Sequence, residues 1–190
     1  MQELRQLHWL HPADDSGGKF AHVVRTSLRC EQWATLSHRL DSFSGMLYGV
    51  DRAATMALHK MLGGLERYRL RCVLTGALQT SYMRHLKNPE VDPTCRCCGQ
   101  ALETLAHLFD ECETLSHIRY REIWPSTWVE FPDCMRLHGI VPAKFGTASE
   151  RLTFGCAVQH TLLDMWEHRC TFAVDEQPPV ARWQKRPRLS

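Results

Sequence analysis

With 190 residues, 44% of them hydrophobic and 23% charged, the chain is long enough to bury a core of its own. Its 23 Lys and Arg stand against 21 Asp and Glu, a formal charge of +2, so bulk charge does not announce a nucleic-acid binder and any electrostatic contact must be local. No apolar run approaches the roughly 20 residues that span a bilayer, and Glu3, Arg5 and His8 interrupt the start where a secretory signal is apolar, which argues against membrane and secreted classes and for the nucleus or cytoplasm.

Residues 1–50 form an N-terminal segment without a decisive pattern. Its clearest feature, Asp14-Asp15-Ser16-Gly17-Gly18-Lys19, shares glycines and a lysine with phosphate-binding loops. The glycine spacing is incomplete and Phe20 follows where Ser or Thr is needed, so an exposed turn is expected. From Asp51 the helical signals sharpen. Asp51 can cap a helix through Leu62, with Ala54, Leu58, Met61 and Leu62 on one face and Gly63-Gly64 as its stop. A second helix is predicted from about Leu65 toward Ala77, with Leu70, Val73, Leu74 and Ala77 as its buried stripe. Pro89 and Pro93 make Asn88 to Thr94 a loop. Residues 51–124 thus read as a helical and zinc-binding module and 125–172 as a C-terminal helical region. In the latter, Thr147 and Glu150 form a capping box, and Leu152, Cys156, Leu163 and Trp166 mark one side of a helix reaching about Cys170. Trp128 and Phe131, with Trp124, are expected to pack in a core. Residues 173–190, with Pro178, Pro179 and Pro187 and four basic residues from Gln177 on, read as a disordered basic tail. The fold class is mainly α.

Nine cysteines is an odd number that cannot all pair within one chain, and reduced thiols that cluster are more often metal ligands than disulfide partners. Cys95, Cys98, His107 and Cys112 have the spacing C-x2-C-x8-H-x4-C. Three thiolates and one imidazole suit tetrahedral Zn2+, and Gly99 lets the chain turn tightly after the first pair. Four protein ligands leave no position for water, so the ion is expected to be structural. Cys97 reads as a bystander, and His117 as a less well spaced substitute for His107. One geometric condition follows. Glu103 to about Glu111 looks helical, yet residues five apart in an α-helix point about 140° away from each other. His107 and Cys112 can share an ion only if that helix tightens or ends near Asp110.

Arg69-Leu70-Arg71-Cys72-Val73-Leu74-Thr75-Gly76, the loop, Cys95-Arg96-Cys97-Cys98-Gly99 and Glu103 to Cys112 together resemble the C-terminal zinc-binding region of non-LTR retrotransposon reverse transcriptases. The match covers roughly Tyr68 to Tyr120, and Gly139-Ile140-Val141-Pro142 is similar to tails of such elements with less specificity. The resemblance implies that Cys95, Cys98, His107 and Cys112 are ligands and that the region helps hold RNA or DNA. A polymerase aspartate motif is missing, since Pro12-Ala13-Asp14-Asp15 lacks the aromatic, so the chain reads as the tail alone and reverse transcription is not expected of it.

Phosphate contact needs local positive charge. Residues 101–122 carry five acids against Arg119 and Arg121, so the zinc helix is expected to scaffold rather than read. Better candidates are Arg67, Arg69, Arg71, Arg84 and Lys87, five basic residues against Glu66 over residues 65–87, with Tyr68 and Tyr82 as stacking surfaces. Lys185, Arg186 and Arg188 in the tail could add nonspecific phosphate contacts. An ordinary solvated basic face is an equal alternative for the helical cluster. The sequence therefore favours a non-catalytic, zinc-stabilised module binding RNA or DNA, with a zinc-stapled protein-interaction domain as the rival. H-E-x-x-H, G-x-S-x-G and G-x-G-x-x-G are all absent.

Overall fold

Thr147 and Glu150 set the start of the longest helix. The Thr147 N–H donates to Glu150 Oε2 at 2.7 Å and the Glu150 N–H donates to Thr147 Oγ1 at 3.2 Å, a reciprocal cap that releases a 24-residue helix, Ala148–Thr171. The computed structural model describes residues 28, 29 and 31–171. The Asp14 to Lys19 turn and the basic tail with Lys185, Arg186 and Arg188 lie outside the described residues. In chain order the helices are α1 (31–39), α2 (Arg52–Thr55), α3 (Ala57–Met61), α4 (Gly64–Leu74), α5 (Ser81–His85), α6 (Ser116–Arg119), α7 (Pro125–Glu130), α8 (Asp133–His138) and α9 (Ala148–Thr171). A π-turn spans His107–Glu111, and short 3-10 turns precede α2 and α6. The fold is mainly α: among the described residues there is no strand, only the isolated bridges Val50 to Pro142 and Thr94 to Leu102. None of the described helices is long and apolar enough to cross a membrane.

Helices α2, α3, α4, α6 and α8 pack against α9. Its buried stripe is Gly155, Val158, Gln159, Leu162, Met165 and Arg169, one helical edge away from the predicted line, and Leu152 is exposed. The difference has a simple cause. Gly155, Gln159 and Arg169 do not count as apolar in a periodicity reading, yet they are buried by a close approach, a pair of backbone contacts and an ion pair. A Cβ on Gly155 would stand 2.7 Å from Val141 Cγ2 and 3.6 Å from the Ala54 carbonyl, so glycine lets α2 and the 140–142 segment press onto α9.

Asp51 caps α2 as expected, accepting the Ala54 N–H at 3.0 Å, and also pairs with Arg151 of α9 at 2.7 Å. The predicted single helix through Leu62 is, however, broken at Met56. In an uninterrupted helix the Thr55 carbonyl would accept from residue 59, but here it accepts from Gln159 Nε2 at 2.9 Å, while the Thr55 hydroxyl accepts the Val141 N–H. The kink turns Met61 out to solvent, and Gly63-Gly64 opens the next helix instead of ending the previous one. Leu70 and Val73 of α4 are buried as the stripe predicts, but the helix ends at Leu74 and Ala77 is exposed.

One large cluster joins Val73, Leu108, Phe109, Leu115, Trp128, Met135, Leu162 and Met165, and a smaller one holds Met46, Cys134 and Ile140. Trp128 and Phe131 lie inside the large cluster, whereas Trp124, at the start of α7, is 79% exposed.

Candidate metal centre

The centre is built on two short pieces of chain. The first is a tight loop: the Cys95 N–H donates to the Ala101 carbonyl at 2.7 Å and the Gly99 N–H donates to the Cys95 carbonyl at 2.7 Å, with Gly99 at φ 67°. Only a residue tolerant of the left-handed region closes this loop without strain. The second piece starts at Thr104, whose hydroxyl accepts the His107 N–H at 3.0 Å as a helix cap. The helical turn from Leu105 then widens, and the Cys112 N–H donates to the His107 carbonyl at 2.7 Å.

That hydrogen bond spans five residues. The spacing predicts a helix that tightens or stops near Asp110; the chain loosens into a π-turn instead. A turn closed from i to i+5 holds about 4.4 residues, so positions five apart return to nearly the same side, which the α-helical period forbids. Leu108 and Phe109, on the inward side, are fully buried and anchor the wide turn in the core.

As a result the ligand atoms of Cys95, Cys98, His107 and Cys112 all lie within 4.8 Å of one another. Cys95 Sγ and Cys112 Sγ are 3.9 Å apart, and Cys98 Sγ is 3.3 Å from His107 Nε2. Metal–sulfur bonds of about 2.3 Å and metal–nitrogen bonds of about 2.0 Å in a tetrahedron demand sulfur–sulfur edges of about 3.8 Å and sulfur–nitrogen edges of about 3.5 Å. The observed separations fit, and the cluster could hold a metal ion. Cys95, His107 and Cys112 are buried and Cys98 is half-buried. The sulfurs belong to free thiols; no disulfide is formed among the described residues.

The surroundings orient these groups. A hydrogen bond from the Cys97 thiol, helped by the Cys98 and Cys97 N–H groups and opposed by burial, pulls the Cys95 thiol down to about 4. Cys97 is the converse: as donor to Cys95 its own thiol is pushed far up, so it stays protonated and lies outside the converging four. Burial, reinforced by the Cys95 charge, raises Cys112 to about 11 in the absence of a cation. Two sulfurs forced this close resist joint ionisation, and a divalent cation between them removes the conflict. Glu111 Oε2 stands 3.7 Å from His107 Nδ1, on the side of the ring away from the sulfurs, where a carboxylate fixes an imidazole ligand's tautomer.

Three supporting groups carry no sequence signal that periodicity or motif spacing reveals. Arg119, buried on α6, donates to the Phe109 carbonyl at 2.8 Å and the Cys112 carbonyl at 3.0 Å, the latter also accepting the Leu115 N–H, and so ties together carbonyls at the end of the π-turn. Glu103, predicted to start the zinc helix, instead lies ahead of it and is fully buried. It accepts from the Ser81 N–H at 2.7 Å, the Arg96 N–H at 3.2 Å and the Arg169 guanidinium at 2.7 Å. Asp110 pairs with Arg136 of α8 and accepts from Trp128 Nε1 at 2.8 Å. Much of the acidic excess of residues 101–122 is therefore spent inside the fold. Among the described residues only one Cys/His/acid group has metal-site geometry, and His117, which meets His168 edge to face, is not part of it.

The basic candidates differ in what holds them. Arg67 folds back to donate to the Leu62 carbonyl at 3.0 Å, Arg69 pairs with Glu167 of α9 at 3.0 Å, and Lys87 donates to Gln79 at 3.1 Å. Arg71 donates through Nε to His59 Nε2 at 3.0 Å and keeps its charge uncompensated by that neutral partner. Burial and the charges of Arg71 and Arg67 hold His59 below its ordinary value, a sign of local positive potential. Arg84 is half-buried on α5, and Tyr68 is exposed while Tyr82 is half-buried. No family model matches the chain, and no curated protein or solved structure matches it.

Proposed function

We propose that this chain is a zinc-stabilised, non-catalytic nucleic-acid-binding module related to the C-terminal tail of non-LTR retrotransposon reverse transcriptases. The observation that carries the zinc assignment is the convergence of three sulfurs and one imidazole nitrogen within 4.8 Å, a donor set suited to Zn2+ and closed to water. In this reading the ion would supply no chemistry to a substrate; it would fix the 95–112 segment against α9, and Arg67, Arg71 and their neighbours on α3 and α4 would meet phosphate.

Two measurements test the proposal. Native mass spectrometry should find one zinc per chain, lost in Cys112→Ser and retained in Cys97→Ser; equal retention by the two variants would overturn the ligand set. Anisotropy titrations with single-stranded RNA and DNA should show affinity falling steeply between 50 and 200 mM salt, and Arg67→Glu with Arg71→Glu should abolish it. The rival reading, a zinc-stapled protein-interaction domain, is favoured by one observation. Leu65 and Tyr68, one turn apart on α4, are exposed, as is Met61 on α3. Absence of nucleic-acid binding at low salt would select it.

A further inference from the structure

A cleft of about 460 Å³ is lined by residues of α1, α2, α3 and α4 and of the Ile140 segment. Trp33, Met46, Val50, Met56, Leu74 and Ile140 give it apolar walls; its polar lining is Thr55, whose hydroxyl already accepts the Val141 N–H, together with His59, Arg71 and Thr75. An open apolar cleft with a few polar groups at its edge can seat a flat ligand against its walls.

The polar groups are oriented by their own hydrogen bonds. His59 Nε2 accepts from Arg71 Nε, so the ring proton of this neutral imidazole is on Nδ1, which is a donor. The Thr75 hydroxyl donates to the Arg71 carbonyl at 2.8 Å and keeps its lone pairs to accept. Arg71 uses only Nε, leaving its two terminal nitrogens without a hydrogen-bond partner among the described residues. The rim therefore offers a neutral donor, an acceptor and a guanidinium free to grip an anion, beside an indole.

We infer that this cleft takes a single unpaired base of a nucleic acid strand, with an adjoining phosphate held by Arg71. The inference rests on the nucleic-acid reading above and names its contact site. An aromatic heterocycle with polar edges uses the apolar walls and the His59 and Thr75 groups together, which an aliphatic side chain cannot. The charge pattern favours a polyanion over an isolated carboxylate: from 52 to 74 there are five basic residues, Arg52, Lys60, Arg67, Arg69 and Arg71, against Glu66 alone, and only Arg69 is tied to an acid among the described residues. Positive charge gathered on α2, α3 and α4, the helices that contribute Thr55, His59 and Arg71 to the cleft, suits a strand whose phosphates pass beside it.

The test compares an unlabelled single-stranded octanucleotide with a fully abasic octamer of the same charge, titrated calorimetrically against the zinc-loaded full chain. The intact strand should bind about tenfold more tightly than the abasic one. Trp33→Ala should bring the intact strand down to the abasic affinity and leave the abasic affinity unchanged. Because the two ligands are compared on the unaltered protein, a Trp33 variant that fails to fold does not decide the matter. Equal affinities of the two strands would overturn the cleft assignment while leaving phosphate binding, and so the proposed function, in place. Failure of both strands to bind at low salt would overturn the proposed function itself, and the cleft assignment with it.

Discussion

Replacing Glu103 by Gln is the most direct probe of how the metal segment is held to the rest of the fold. The carboxylate is fully buried, the Arg169 side chain is 5% exposed, and the pair closes at 2.7 Å. Glu103 Oε1 takes the Ser81 N–H and both Arg169 donors, while Oε2 takes the Arg96 N–H. An amide keeps the shape but can satisfy only part of this set, since its NH2 would face either the Arg96 N–H or the Ser81 and Arg169 donors. It also leaves the Arg169 cation in low dielectric with the Cys170 side chain and the Trp166 ring, 4.8 Å from its centre, as weaker compensation. Breaking one side of a buried pair costs about 3–5 kcal/mol, a large fraction of the 5–15 kcal/mol that holds a typical domain together. Arg169→Met should cost less, because Glu103 then still accepts two backbone N–H groups. The double variant should be less damaging than the sum by about 1–3 kcal/mol. Urea unfolding of the metal-loaded chain, followed by circular dichroism, measures all three. Additive losses, or a Glu103→Gln loss below about 1 kcal/mol, would refute the reasoning.

Other consequences are simpler. His138 is buried, stacked on Phe43 at 4.2 Å, with Nε2 unpartnered among the described residues, and burial lowers its pKa against a smaller opposing effect of the Val73 carbonyl. Its charged form is disfavoured in the folded state, so stability is full above the ordinary value of 6.5 and falls as pH drops below it toward the lowered folded value. The unmodified chain should therefore lose more stability than His138→Leu between pH 7 and pH 5, and parallel curves would refute this. Gly155→Ala places its Cβ 2.7 Å from Val141 Cγ2. Overpacking costs about 1–3 kcal/mol against a helix-propensity gain of about 1 kcal/mol. A net loss is therefore expected, read as a lower denaturant midpoint; a rise would show that α2 and the 140–142 segment yield easily.

What could be read from the sequence was what neighbouring residues decide among themselves. Thr147 with Glu150, Asp51 with Ala54, and Gly99 after Cys98 are local agreements between side chain and backbone, and each appears in the structure where the spacing places it. What escaped depends on residues far away in sequence. Glu103 and Arg169 are 66 positions apart, and Gln159, which takes the Thr55 carbonyl and so divides α2 from α3, is 104 away. Neither Gln nor Arg reads as a core residue by hydrophobicity. Both are buried on α9 because their polar groups find backbone or charged partners there, which periodicity does not register.

The metal segment lies between these cases and shows why ligand spacing can carry more than composition. Four residues between His107 and Cys112 conflict with an α-helix, so the sequence states that the helix must deform but leaves the direction open. Two features of the fold decide it. Phe109 and Leu108 are pulled fully into the core, and Arg119 draws the Phe109 and Cys112 carbonyls toward one guanidinium. A tightened turn would have fewer residues per rotation and would swing Phe109 or Leu108 toward solvent; a widened turn admits the extra residue, keeps both inside and returns Cys112 to the face of His107. On this argument the π-turn belongs to the polypeptide and precedes any ion. Metal-free chain should retain protection of the Cys112 amide, bonded to the His107 carbonyl, in hydrogen exchange, while Arg119→Met should lose that protection even with metal present. Protection of the Cys112 amide only in the metal-loaded form would mean instead that the ion imposes the turn.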